Sequence, residues 1–250
     1  MNRKEAAKLA VLSKSRMGTY NRCPLGFKYS YVDKMESLPN PYFARGIEVH
    51  SFFEHFFDKI KIDGEKLKIK ALDYSGETMY KKNIVEYLSK KWYECIDKKP
   101  EDPEKYFRPV LMEKMLEINN GIRARGKADG FVFDLDDKWK AFEVKTGMVT
   151  HDKCVSYKND LVWYKMLLEA NKTHCKHFGI DSIDYGLIYF PHSNYVYEHE
   201  IFDHDVEVLR EDIAITADKI LRGDFDPNPE LSNCKWCGYR LICEHSVCKV

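Results

Sequence analysis

The sequence predicts an α/β fold of the α+β kind, and two observations carry that expectation. Residues 46 to 60, GIEVHSFFEHFFDKI, and 79 to 98, MYKKNIVEYLSKKWYECIDK, repeat apolar side chains at helical spacing. From residue 110 the period changes to two, and GKADGFVFDLDDKWKAFEVKTG alternates on either side of the acidic turn DLDDK. One domain over residues 1–250 accommodates both patterns, with a core at about 44–202 and cysteine-bearing elements at 13–31 and 223–250.

Taken in order, Ser13 or Ser15 caps a short helix that stops at Pro24, with Cys23 at the stop and an aromatic run beyond it. The helix at 46 to 60 places Ile47, His50, Phe53, Phe57 and Ile60 on one stripe. Residues 61 to 78 are lysine-rich and poorly patterned, a surface excursion before the next helix, which KPEDPEKYFRP breaks. A β-meander follows from VLMEKMLEI, then a helix over 155 to 170, strands in IDYGLIYFP and NYVYEHEIF, and a charged helix over 203 to 222. The tail from 223 opens as a turn-rich loop and ends in cysteines.

Forty acidic residues balance forty basic ones, so no overall field advertises a polyanionic partner, although a neutral total is compatible with a basic groove. No window is apolar for long enough to span a membrane, and charges interrupt the opening MNRKEAAKLAVLSKSR, so a soluble, intracellular, cytoplasmic protein is expected. Eight cysteines are too sparse for a disulfide scaffold, and clustered ones in a reducing compartment point to metal chemistry.

The stretch AFEVKTG carries the chemistry. On a strand Glu143 and Lys145 share one face and Phe142 and Val144 the other. Taken alone, such a pair is an ordinary surface ion pair. If the hairpin is registered around DLDDK, however, Asp129 in GKADGF reaches the level of Glu143, and two carboxylates there suit a hard cation such as magnesium or manganese. Lys145 would then orient a water or offset phosphate charge, which is the chemistry of phosphodiester hydrolysis.

The ordered set of a histidine-bearing helix, GKADGF and FEVKTG resembles the PD-(D/E)XK nuclease superfamily in its RecB-like branch. The resemblance implies a restriction-endonuclease-like core, a mixed central β-sheet flanked by helices, in which His50, Asp129, Glu143 and the backbone carbonyl of Val144 ligate the metal and Lys145 is catalytic. Glu113 in VLMEKML, on the preceding strand, matches a further acidic position. The branch also carries a glutamine-x-x-x-tyrosine motif, aligned here with DLVWY. Tyr164 fits it, and Asp160 stands in place of the glutamine in a chain that has no glutamine at all.

In the tail CKWCGYRLIC supplies Cys234, Cys237 and Cys243, whose spacing suits metal better than three buried hydrophobes; a fourth thiolate would be Cys23 or Cys248. Cys95, Cys154 and Cys175 stand alone. Members of the branch that include the AddB nuclease domain and the CRISPR-associated RecB-like nuclease bind a 4Fe-4S cluster through one cysteine before the core and three after it. The motif YNRCPLGF reproduces the first at Cys23, so the resemblance implies an iron-sulfur staple on Cys23, Cys234, Cys237 and Cys243, with zinc as the alternative.

The resemblance implies a metal-dependent deoxyribonuclease using one or two magnesium or manganese ions and, since members with the cysteine staple mostly trim DNA from ends, an exonuclease on single-stranded DNA or DNA ends. Arg123, Arg125 and Lys127 offer charge to phosphates, and Tyr20, Trp163 and Tyr164 offer rings to bases. Alternatives are a nuclease of CRISPR spacer acquisition or of viral or mobile-element recombination, and a non-catalytic DNA-binding scaffold with a vestigial site. Asp129, Glu143 and Lys145 argue against the scaffold and Asp160 for it. No P-loop occurs, so any unwinding must come from another chain, and the resemblance suggests helicase, recombination or CRISPR integration proteins as partners besides DNA.

Overall fold

The computed structural model describes residues 8–39, 41–70 and 72–248, without the side chains of 41–43. The chain forms two compact units, Met1–Pro41 with Glu117–Gly126 and Glu207–Val250, and Tyr42–Leu116 with Lys127–Val206.

The larger unit holds the mixed sheet that the family resemblance implies. Strands β5 (Gly130–Phe133), β6 (Trp139–Val144), β7 (Tyr185–Phe190) and β8 (Tyr195–Glu200) lie in sequence order across it. The β5–β6 and β7–β8 pairs are antiparallel hairpins, whereas β6 and β7 run parallel, with Glu143 opposite Ile188. A parallel pair needs a crossover, and α6 (His151–Ser156), α7 (Lys158–Ala170) and α8 (Lys172–Phe178) supply it.

One face of the sheet packs against α3 (Pro41–Lys59) and α4 (Thr78–Lys98) through Phe142, Val144, Leu187 and Tyr189. Phe53 stacks on Phe142 with ring centroids 5.3 Å apart. The opposite face receives α7: a Cβ on Gly186 would lie 2.7 Å from Leu161 Cδ1, so glycine is needed for this close approach. Glu143 therefore faces α7 and Phe142 faces the main core.

Several expectations change. The buried stripe of α3 is Val49, Phe53 and Phe56, continued by Ile60 just past the helix end, while Ile47 is 72% exposed, so the apolar face lies one residue round from the expected one. His50 sits at the edge of this stripe. Residues 61 to 78 are not a featureless excursion: β1 (Ile60–Asp63) and β2 (Lys66–Ile69) form a hairpin that turns at Gly64, where φ is +58°. KPEDPEKYFRP contains a short helix, α5 (Pro103–Phe107), capped by Asp102. The expected helix over 155 to 170 is two helices meeting at Tyr157, and α8 lies beyond it.

The smaller unit contains α1 (Lys14–Arg22), whose cap is Ser13, accepting from the Arg16 N–H at 3.3 Å. Cys23 ends α1 and precedes α2 (Pro24–Phe27), and the aromatic run continues as a π-helical turn, Lys28–Val32. Strands β3 (Met115–Asn120) and β4 (Ile122–Lys127) turn at Gly121, and Leu12 bridges to Ala124. The long helix α9 (Asp203–Arg222) follows the expected bounds and buries Ile213, Thr216 and Ile220. Tyr20, Phe27 and Phe225 pack edge-on and stacked, and the Tyr20 hydroxyl donates to the Asp224 carbonyl at 2.5 Å. The tail holds α10 (Leu231–Cys234) and is fixed by the Leu38 N–H donating to the Gly238 carbonyl at 2.9 Å. No helix among the described residues is long and apolar enough to cross a membrane.

Candidate active site

The β5–β6 hairpin builds the centre of the site. Gly130 pairs with Phe142, so one step further Asp129 stands opposite Glu143. The Val144 backbone N–H donates to Asp129 Oδ2 at 2.7 Å, and Asp129 Oδ1 lies 3.2 Å from His50 Nδ1 on α3. Both Asp129 and Glu143 are buried.

Glu113 joins them from an unexpected place. It lies in the turn before β3 and not on a strand, at a φ of +51°, with its N–H donating to the Ala128 carbonyl at 2.9 Å. A non-glycine residue in this left-handed region is held there by its surroundings at an energetic cost. Gly130 admits the turn: a Cβ there would meet Pro109 Cβ at 3.0 Å. The ligating atoms of His50, Glu113 and Asp129 all lie within 4.8 Å of one another, and Lys127 Nζ is 3.5 Å from Glu113.

Beside this group Lys145 ion-pairs with Glu143 Oε1 and, at 2.6 Å, with Asp160 Oδ2. The Tyr164 hydroxyl donates to Glu143 Oε2. Asp160 and Tyr164 are four residues apart and so share a face of α7. Tyr157, which the sequence reading did not select, sets its ring 4.6 Å from Lys145 Nζ. Its position three residues before Asp160, seven before Tyr164, is the helical signal that would have found it.

The electrostatics follow from burial and crowding. Burial raises the pKa of Asp129 and the charge of Glu143 adds to it, outweighing His50 and the Val144 N–H. Burial, then the charge of Asp129, lifts Glu113. For His50 burial opposes protonation, but the hydrogen bond and charge of Asp129 and the charge of Glu143 overcome it and raise its pKa. Burial also opposes the Lys145 ammonium, yet Glu143 and Asp160 hold it protonated far above neutrality. Burial and Glu143 push the Tyr164 phenol well up.

Crowded carboxylates that resist ionisation together are what a divalent cation relieves, and an imidazole with two carboxylates is a donor set that suits one. The group fits a metal on its own geometry. Glu143 is not in that nearest group: its two oxygens are taken up by Lys145 and Tyr164.

Among the described residues no cysteine forms a disulfide. Burial raises the pKa of Cys95 to about 11 and also raises Cys154 and Cys175, which marks these three as inert. In the smaller unit burial lifts Cys237, and Cys23, Cys243 and Cys234 stand near enough to lift it further. Among the described residues no three cysteine sulfurs come within 4.8 Å of one another.

No curated protein matches the sequence. Among solved structures it is similar to one described as "Crystal structure of SSO0001", with 15% identity and a TM-score of 0.34, covering 82% of this chain and 98% of that one. A family model for the PD-(D/E)XK nuclease superfamily matches residues 11–244, which takes in His50, Glu113, Asp129, Glu143, Lys145 and Tyr164. On that match the chain belongs to the PD-(D/E)XK nuclease superfamily.

Proposed function

We propose that the protein is a magnesium- or manganese-dependent deoxyribonuclease of the RecB-like branch that acts as an exonuclease on single-stranded DNA or DNA ends. The observation that supports this reading most directly is the His50, Glu113 and Asp129 donor group beside the Glu143–Lys145 pair. His50, Glu113 and Asp129 would hold the cation, with Glu143 and the Val144 carbonyl completing the ligand set. When bound, the cation supplies positive charge to phosphate oxygens and makes a nearby water more acidic.

The chain's own residues do the rest. Asp129 is aimed by the Val144 N–H, and Tyr164 orients Glu143. Lys145 stays cationic at working pH and stabilises charge developing on the phosphate during attack by water. The test is an assay on end-labelled single- and double-stranded DNA with magnesium or manganese. Parent protein should shorten one or both from an end, and Lys145→Ala should not; cleavage that survives in Lys145→Ala would remove the assignment.

For the smaller unit the same reading assigns a 4Fe-4S cluster to Cys23, Cys234, Cys237 and Cys243. The motifs YNRCPLGF and CKWCGYRLIC, and the nearness of Cys23, Cys234 and Cys243 to Cys237, support this reading, with zinc as the alternative metal. The cluster would tie residue 23 to the tail across some two hundred residues and so remove unfolded-state entropy.

A further inference from the structure

We propose that Asp160 is a positioning residue for Lys145, so that one face of α7 fixes both members of the Glu143–Lys145 pair. This rests on the nuclease reading above. Lys145 Nζ lies 2.6 Å from Asp160 Oδ2 while also pairing with Glu143. The two side chains are 18% and 15% exposed, so water competes weakly for either. One turn along the same helix, the Tyr164 hydroxyl holds the other oxygen of Glu143.

A lysine stem has four rotatable carbons and no preferred direction. With Glu143 as its sole anion, the ammonium would settle on the carboxylate that also belongs to the proposed ligand set. Asp160 draws it the other way, and the Tyr157 ring, 4.6 Å from Nζ, closes a further side. The lysine is thus suspended between two carboxylates and a ring. A side-chain amide at 160 keeps the shape but loses the charge that sets the position, which separates the positioning role from packing.

The experiment compares full-length parent, Asp160→Asn and Asp160→Glu for kcat and KM on DNA with magnesium. It also follows the Lys145 ammonium in 15N-lysine NMR, assigned by its absence from Lys145→Ala. The expected result is a kcat lowered roughly 10- to 100-fold in Asp160→Asn with KM changed less than about twofold. Asp160→Glu should retain more activity than Asp160→Asn, and the Lys145 signal should shift or exchange faster in Asp160→Asn. Parental kcat in Asp160→Asn, or a Lys145 signal unchanged there, overturns the proposal. If Asp160→Asn does not fold, a displaced Lys145 signal in Asp160→Glu supports it and a coincident one overturns it. Parent protein that cleaves no DNA defeats the nuclease reading alone, because the NMR comparison still decides whether Asp160 places Lys145.

Discussion

The Asp129 carboxylate receives the Val144 N–H at 2.7 Å, so the backbone of the lysine-bearing strand itself aims the carboxylate that faces His50. This bond couples stability to the site. Asp129→Ala should leave a buried N–H without a partner and lower unfolding free energy by about 1–3 kcal/mol, read by urea denaturation. It should also abolish binding of manganese followed by its EPR signal. Undiminished manganese binding would remove Asp129 from the ligand set.

The pH behaviour of the cation-free protein follows from the raised values of Asp129, Glu113 and His50. Each binds its proton more tightly folded than unfolded, so the stability it contributes is present below its unfolded pKa and is lost as pH rises through the folded one. For the carboxyls the loss begins above the ordinary carboxylate range, and for His50 above about 6.5. Melting temperature without divalent cation should therefore fall between pH 5 and 8, and Asp129→Asn, which keeps the shape without the charge, should flatten the fall. An equal slope in both proteins would contradict this.

Phe53 and Ile47 show where the sequence was legible and where it was not. The helical period of residues 46 to 60 was plain, but period alone leaves the centre of the buried face uncertain by one residue, and here Val49 and Phe56 take the place of Ile47. Glu143, Asp129 and Lys145 could be read because strand alternation and hairpin register are local rules. The turn that brings Glu113 to His50 could not, since it depends on a left-handed residue and on the space left at Gly130. Phe53→Ala should cost about 3–5 kcal/mol and Ile47→Ala no more than about 0.5 kcal/mol, measured by chemical denaturation. A comparable cost for the two would contradict the buried face.

Tyr164→Phe isolates the hydroxyl on Glu143, because the ring remains to fill its buried place. A hydrogen bond to a charged group is worth about 1.5–3 kcal/mol, part of which persists through Lys145. The variant should lose about 1–2 kcal/mol of stability and, with Glu143 free to turn, cleave DNA more slowly. Unaltered cleavage would mean that Glu143 is held well enough by Lys145.

Cys23 and the tail cysteines lie some two hundred residues apart in sequence, yet Cys23 contributes to the environment of Cys237. If the four hold an iron-sulfur cluster, protein purified without oxygen should be brown and contain iron and inorganic sulfide in equal amounts. Cys23→Ser should then lose iron and melt at a lower temperature, because the long loop is no longer closed. Cys248→Ser should keep both. Colourless protein carrying zinc would refute the cluster, and loss of metal in Cys248→Ser but not in Cys23→Ser would confine the site to the tail.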